Sequence, residues 1–170
     1  IVHGFQLQDP IMGIADQYPE VNFAIGPGAF KTAPNVSLYD QNNGEVGYIM
    51  GAVAGLSTES NVIGSIGGMD VPNVHVTHEV FKIAAKEVNS EAEVIHAYTG
   101  DFTDAEAARE AALSMIDQGA DLIYVSGDGI TVGGLEASQD EGVLFMTNSN
   151  MSELAPEIFL ANLEPDYGVA

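Results

Sequence analysis

The sequence predicts an α/β fold, a Rossmann-like parallel sheet flanked by helices. Three observations carry this. Short β-rich runs alternate with helical stretches along the chain. From residue 61 to 147 the order reads β-α-β-α-β-α-β. Every strand in that stretch ends in a polar or glycine-rich loop.

Ile1-Val2 is the first strand candidate, and Pro10 to Gln17 reads as a short helix ended by Tyr18-Pro19. Val21 to Ile25 is a strand closed by Gly26-Pro27-Gly28, and Val36 to Tyr39 is another. Glu45 to Leu56 is helical, with Gly47, Gly51 and Gly55 at four-residue spacing. That spacing predicts a glycine face packed closely on a sheet. Val62 to Ile66 is a buried strand ending in Gly67-Gly68, and His78 to Asn89 is an amphipathic helix with Val80, Phe81, Ala84, Ala85 and Val88 on one face.

Glu93 to Tyr98 is the next strand. Thr103-Asp104-Ala105-Glu106 has the form of a capping box, so a helix is expected there, running to Gln118 and stopped by Gly119. Asp121 to Val125 is a strand ending in Ser126-Gly127-Asp128-Gly129. A helix from about Val132 to Asp140 is closed by Gly142, and Val143 to Thr147 is the fourth strand of the run. Phe159 to Leu163 reads as a strand crossing elsewhere.

Composition bounds the function. The 170 residues suffice for a domain with its own core, and the 46% hydrophobic fraction argues against disorder. The formal charge is −21, from 25 acids against 4 bases, so the surface repels nucleic acid and anionic head groups. Acids spread along the chain fit a halophilic or marine source, or a bias of composition. With no cysteine, disulfides and thiolate metal sites are excluded. No signal peptide and no apolar run of about 18 residues occurs. The chain opens directly on a strand without an element to pair with, so a piece of a longer protein is expected.

In open parallel sheets, ligands bind beyond the carboxyl ends of the strands. The loops of interest are therefore Gly67-Gly68-Met69-Asp70, Thr99-Gly100-Asp101-Phe102, Ser126-Gly127-Asp128-Gly129 and Asn148-Ser149-Asn150. Asp70, Asp101, Asp104 and Asp128 suit hydrogen bonds from sugar hydroxyls, acid–base work, or helix capping. His75 and His78, with Glu79 beside them, have helical spacing for a shared metal but no third ligand in a known pattern. Neither a dinucleotide loop nor a P-loop is present. A serine elbow is missing, and no nucleophile, base and orienting group assemble. No enzyme activity and no cofactor or metal is expected.

The order of motifs resembles the basic membrane lipoprotein family, substrate-binding proteins that serve ABC transporters for nucleosides. The residues that carry the resemblance are Gly44-Glu45-Val46-Gly47-Tyr48-Ile49-Met50-Gly51-Ala52-Val53-Ala54, Gly64-Ser65-Ile66-Gly67-Gly68-Met69-Asp70-Val71-Pro72, Tyr98 to Asp104, Asp117 to Asp121 and Ser152 to Pro156. The resemblance implies a type 1 periplasmic-binding-protein fold, with two Rossmann-like lobes holding a solute between them. Residues 1–57 would be the end of the first lobe and the crossover, 58–157 the second lobe, and 158–170 a strand crossing back. It implies a small polar, nucleoside-like solute, an ABC permease as partner, and a periplasmic or cell-surface location with a lipid anchor possible outside this stretch. The alternative on the same fold is the ligand-sensing domain of a receptor or regulator.

The family stacks a purine on aromatic side chains and holds ribose hydroxyls with carboxylates. Carried across, Phe5 is the candidate aromatic wall. Met69, Asp70, Asp101, Gly127, Asp128, Asn148 and Asn150 are the other candidate ligand residues. Asn148 and Asn150 stand where the family has acids, Thr77 where an aromatic residue is expected, and Glu164 near the place of a lysine.

Overall fold

The structure, a computed structural model, describes residues 1–4, 7–27 and 31–163. Phe5 and Glu164 therefore lie outside the described residues. The chain divides into two compact units, Ile1–Asn42 and Asn43–Ala170.

The first unit holds β1 (Val2–His3), α1 (Gln8–Ala15), β2 (Phe23–Gly26) and β3 (Val36–Leu38), with the strands parallel in the order β1-β2-β3. Ala15, Ile25 and Val36 form its small core. Asn35 ties the turns together. Its side-chain nitrogen donates to the carbonyls of Ala15, Tyr18 and Val21 at 3.0, 2.9 and 2.9 Å.

The second unit comprises α2 (Asn43–Ser57), β4 (Val62–Gly67), α3 (Pro72–Val88), β5 (Glu93–Tyr98), α4 (Ala105–Asp117), β6 (Leu122–Ser126), α5 (Ile130–Glu141), β7 (Leu144–Thr147) and β8 (Phe159–Asn162). Its strands form one parallel sheet in the order β5-β4-β6-β7-β8. Both faces are covered, so strand residues alternate between two cores. Ile63, Leu122, Tyr124 and Met146 pack under α2 and α3 with Met50 and Phe81. Ile66, Ile123, Val125 and Phe145 pack on the other face with Ala108, Ala112, Met115 and Leu135 of α4 and α5.

Four details differ from the sequence reading. The glycine face of α2 packs on α3 rather than on the sheet. A Cβ at Gly47 would collide with the Thr77 carbonyl, and one at Gly51 with the Phe81 carbonyl. This contact joins α2 to α3 within the second compact unit, Asn43–Ala170. Second, α3 starts at Pro72, because proline fits the first turn of a helix where its missing N–H costs nothing. Third, the cap of α4 is Asp104, whose side chain accepts from the Ala107 amide at 3.0 Å. The Thr103 hydroxyl is engaged by Asp101 instead, at 2.6 Å. Fourth, β8 joins this sheet beside β7, with an irregular register at Phe145/Met146.

Candidate functional site

The strand order places the site. From β4 the chain moves one way to β5, then returns past β4 to β6 and on to β7. The order reverses between β4 and β6, and in open α/β sheets the crevice beyond the carboxyl ends at such a reversal is where ligands bind. Gly67 and Ser126 are register partners at the last rung there.

Around that rung the loops are stitched to one another by backbone. The Thr99 and Gly100 amides donate to the Gly67 and Gly68 carbonyls at 2.9 and 2.7 Å. The Gly129 and Ile130 amides both donate to the Phe102 carbonyl, at 3.0 and 3.2 Å. Phe102 lies so close to Gly68 that a Cβ there would meet its ring. Glycine thus permits three loops to converge at close backbone distance.

Each candidate residue within the described part has a defined place. Met69 and Asp70 follow β4 and are exposed. The Asp70 carboxylate lies 2.9 Å from His75 Nδ1. Burial, reinforced by Asp70, pushes the Tyr98 phenol up to about 12, so it stays a donor. Asp101 follows β5. It accepts from the Thr103 hydroxyl and amide, both at 2.6 Å, and these bonds hold its carboxyl below the usual range. Gly127 and Asp128 follow β6, with the Asp128 side chain exposed. The Gly127 carbonyl accepts from the Thr131 hydroxyl, which orients the start of α5. Asn150, beyond β7, accepts from the Ser152 amide and hydroxyl at 3.2 and 2.8 Å.

Asn148 sits at the end of β7 in a different setting. Its Oδ1 accepts from the Tyr124 hydroxyl at 2.8 Å, and its Nδ2 donates to Ser126 Oγ at 3.3 Å. Tyr124 is fully buried and stacks on Phe81 with ring centroids 4.8 Å apart. Burial drives its phenol pKa upward, so the hydroxyl keeps its proton. Sequence reasoning missed Tyr124, and it placed Ser126 in a loop of interest without its partner, because the bonds of both to Asn148 depend on β6 and β7 being neighbours.

His75 and His78 face different partners. His75 is exposed beside Asp70, whereas His78 is buried, with its Nδ1 2.6 Å from Ser65 Oγ. Among the described residues no group of three or more His, Cys, Asp or Glu side chains is placed to hold a metal ion. Thr77 is also buried. It donates to the carbonyls of Asn73 and Asn43 at 3.1 and 3.3 Å, so it is a helix-packing residue. No helix among the described residues is long and apolar enough to cross a membrane.

Residues 1–162 match the family model described as Bmp, ABC transporter substrate-binding protein PnrA-like. The chain belongs to this family. The family is one of binding proteins, not enzymes. Among curated Bmp relatives, a purine-binding protein of Brucella abortus is 29% identical over 165 residues, covering 96% of this chain and 46% of the relative. A putative ABC transporter glucose-binding protein of Haloferax volcanii is 32% identical over 139 residues, covering 82% and 35%. The chain thus spans about half the length of the curated relatives it matches, or less. Among solved structures, an ABC transporter solute-binding protein of Aeropyrum pernix superposes with a TM-score of 0.81 at 22% identity, covering 92% of this chain and 47% of that one. The fold of this Bmp chain is therefore that of the solute-binding proteins.

Proposed function

We propose that the protein is the solute-capturing component of an ABC transporter, working outside the cytoplasm, and that its solute is a nucleoside or a similarly small polar molecule. The observation that carries this is the convergence of three glycine-bearing loops and Asn148 around the Gly67–Ser126 rung, in a chain of the PnrA-like family. Such a crevice offers backbone groups, short polar side chains and Met69, but no nucleophile held by a base. It suits reversible capture. A permease would then receive the loaded protein. In this reading residues 58–157 supply most of the second lobe, 1–57 the end of the first and the crossover, and 158–170 the return strand.

Phe5, Met69, Asp70, Asp101, Gly127, Asp128, Asn148 and Asn150 are the proposed ligand residues. Asp70 and Asp101 are already bonded within the chain, so a solute hydroxyl competes with His75 or Thr103 for them. Asn148 and Asn150 supply amides where carboxylates would hold a diol with stronger, charge-assisted bonds. The Haloferax relative, named for glucose, gives a sugar as the second reading.

Calorimetric titration of the full-length protein with adenosine, guanosine, inosine, cytidine, uridine and D-glucose tests this. Saturable heat with at least one nucleoside is expected. Heat with glucose alone would move the assignment to sugars, and no heat with any of the six would remove the nucleoside reading.

A further inference from the structure

Tyr124, Asn148 and Ser126 form a chain of two hydrogen bonds at the end of the sheet. Tyr124 Oη donates to Asn148 Oδ1 at 2.8 Å, and Asn148 Nδ2 donates to Ser126 Oγ at 3.3 Å. The carboxamide oxygen can only accept and its nitrogen can only donate, so the direction of these two bonds is fixed. The anchor is rigid. Tyr124 has no exposed surface, and its ring is clamped in parallel on Phe81 with 6° between planes.

These two bonds decide what Asn148 can offer a solute. A carboxamide has two N–H hydrogens and two oxygen lone pairs. One lone pair is taken by Tyr124 and one hydrogen by Ser126, which leaves one of each. Donation into Oδ1 polarises the amide and strengthens its remaining N–H as a donor. A carboxylate in the same place would accept from both Tyr124 and Ser126 and would have no hydrogen to give.

Taking the strand-end crevice as the solute site, we propose that Tyr124 is a positioning residue that acts through Asn148, holding its carboxamide so that this position donates a hydrogen bond to an acceptor atom of the solute. The solutes favoured are those presenting a carbonyl oxygen, a ring nitrogen or an ether oxygen at this point. A solute offering only a diol gains less from it. The inference concerns β6 and β7 of this chain and does not depend on which member of that class is bound.

The test is a double-mutant cycle read by calorimetry on the full-length protein, with the same five nucleosides and D-glucose as probes. Tyr124→Phe deletes the donor to Oδ1, Ser126→Ala removes the acceptor that holds Nδ2, and Asn148→Ala removes the group they position. Tyr124→Phe is expected to weaken binding by up to about tenfold, the scale of one net hydrogen bond. The same substitution in the Asn148→Ala background should leave Kd unchanged. Ser126→Ala should show the same dependence on Asn148, which keeps the question open to decision if Tyr124→Phe fails to fold. Asn148→Asp should shift preference toward diol-bearing probes. Equal effects with and without the Asn148 side chain, or no effect of Tyr124→Phe on Kd, would overturn the inference while leaving the solute-binding function intact. Cycles showing coupling on glucose alone would support the inference and remove the nucleoside reading. Absence of binding to every probe would defeat both.

Discussion

Ser65 Oγ and His78 Nδ1 lie 2.6 Å apart, a hydrogen bond fully enclosed between β4 and α3. His96 on β5 brings its own Nδ1 to 3.4 Å from the same oxygen, and the two imidazole centroids are 4.4 Å apart. Both Nε2 atoms are buried without a hydrogen-bond partner in the structure. Charging either ring puts a hydrogen on both of its nitrogens, so its Nε2–H would stand unpaired in this pocket.

Acid should therefore loosen the second unit through His78. Burial first, then His96 and His75, push its pKa from 6.5 down to about 3. The native state holds the ring neutral where the unfolded state binds a proton. Stability is thus retained above pH 6.5 and lost as pH falls from there toward 3, at about 1.4 kcal/mol per pH unit. Urea unfolding between pH 7.5 and 4.5 reads this as a falling midpoint. His78→Gln should show a shallower fall, and equal slopes in the two proteins would contradict the assignment.

The seam between α2 and α3 should tolerate no added methyl. Gly51→Ala drives a Cβ into the Phe81 carbonyl, and Gly47→Ala does so into that of Thr77. Each is expected to cost about 1–3 kcal/mol in chemical denaturation, the scale of overpacking a filled core. Gly13→Ala on α1 is the control. Nothing lies within 4 Å of its added Cβ, so helix propensity should stabilise that variant by up to about 1 kcal/mol.

Asp121 should be a structural carboxylate at the start of β6. It accepts from Thr58 Oγ1 at 2.6 Å and from the amides of Glu59 and Ser60 at 2.6 and 2.7 Å. Desolvation opposes the charge, yet these bonds hold its pKa below the ordinary value of 3.8. Asp121→Ala is expected to lower stability by about 2 kcal/mol at neutral pH, with Kd for the solute unaffected. In the parent protein that contribution persists above pH 3.8 and is lost as pH falls below it.

Salt should stabilise the fold. A net charge of −21 makes the folded chain repel itself, and the screening length shrinks from about 30 Å at 0.01 M to about 3 Å at 1 M. The melting temperature is expected to rise across that range. A fall would mean that ion pairs such as Arg109–Asp140, at 2.7 Å, outweigh the repulsion.

What the sequence made legible was local. The loops at 67–70, 99–102, 126–129 and 148–150 stand out because glycine and polar residues follow apolar runs directly, and the structure puts all four at one end of one sheet. Spacing identified Gly47, Gly51 and Gly55 as a packing face but not its partner, because a helix and a sheet accept the same face. Thr103 carried the capping signature, yet Asp101 competes for its hydroxyl and Asp104 takes the cap. The pairings Tyr124–Asn148 and Ser65–His96 were invisible. They join residues on neighbouring strands, and neighbourhood is set by strand order, which a βαβ pattern leaves open.

That same strand order bears on how the domain assembles. Once β4 and β5 are paired, β6 adds to the free side of β4, β7 to β6, and β8 to β7. Each strand arrives in the order in which a ribosome delivers it, and none requires an existing ladder to open. Parallel sheets fold slowly because their contacts are distant in sequence. Here the search is divided into successive single-strand docking steps on one growing edge, so a chain emerging amino end first can consolidate the sheet as it is made.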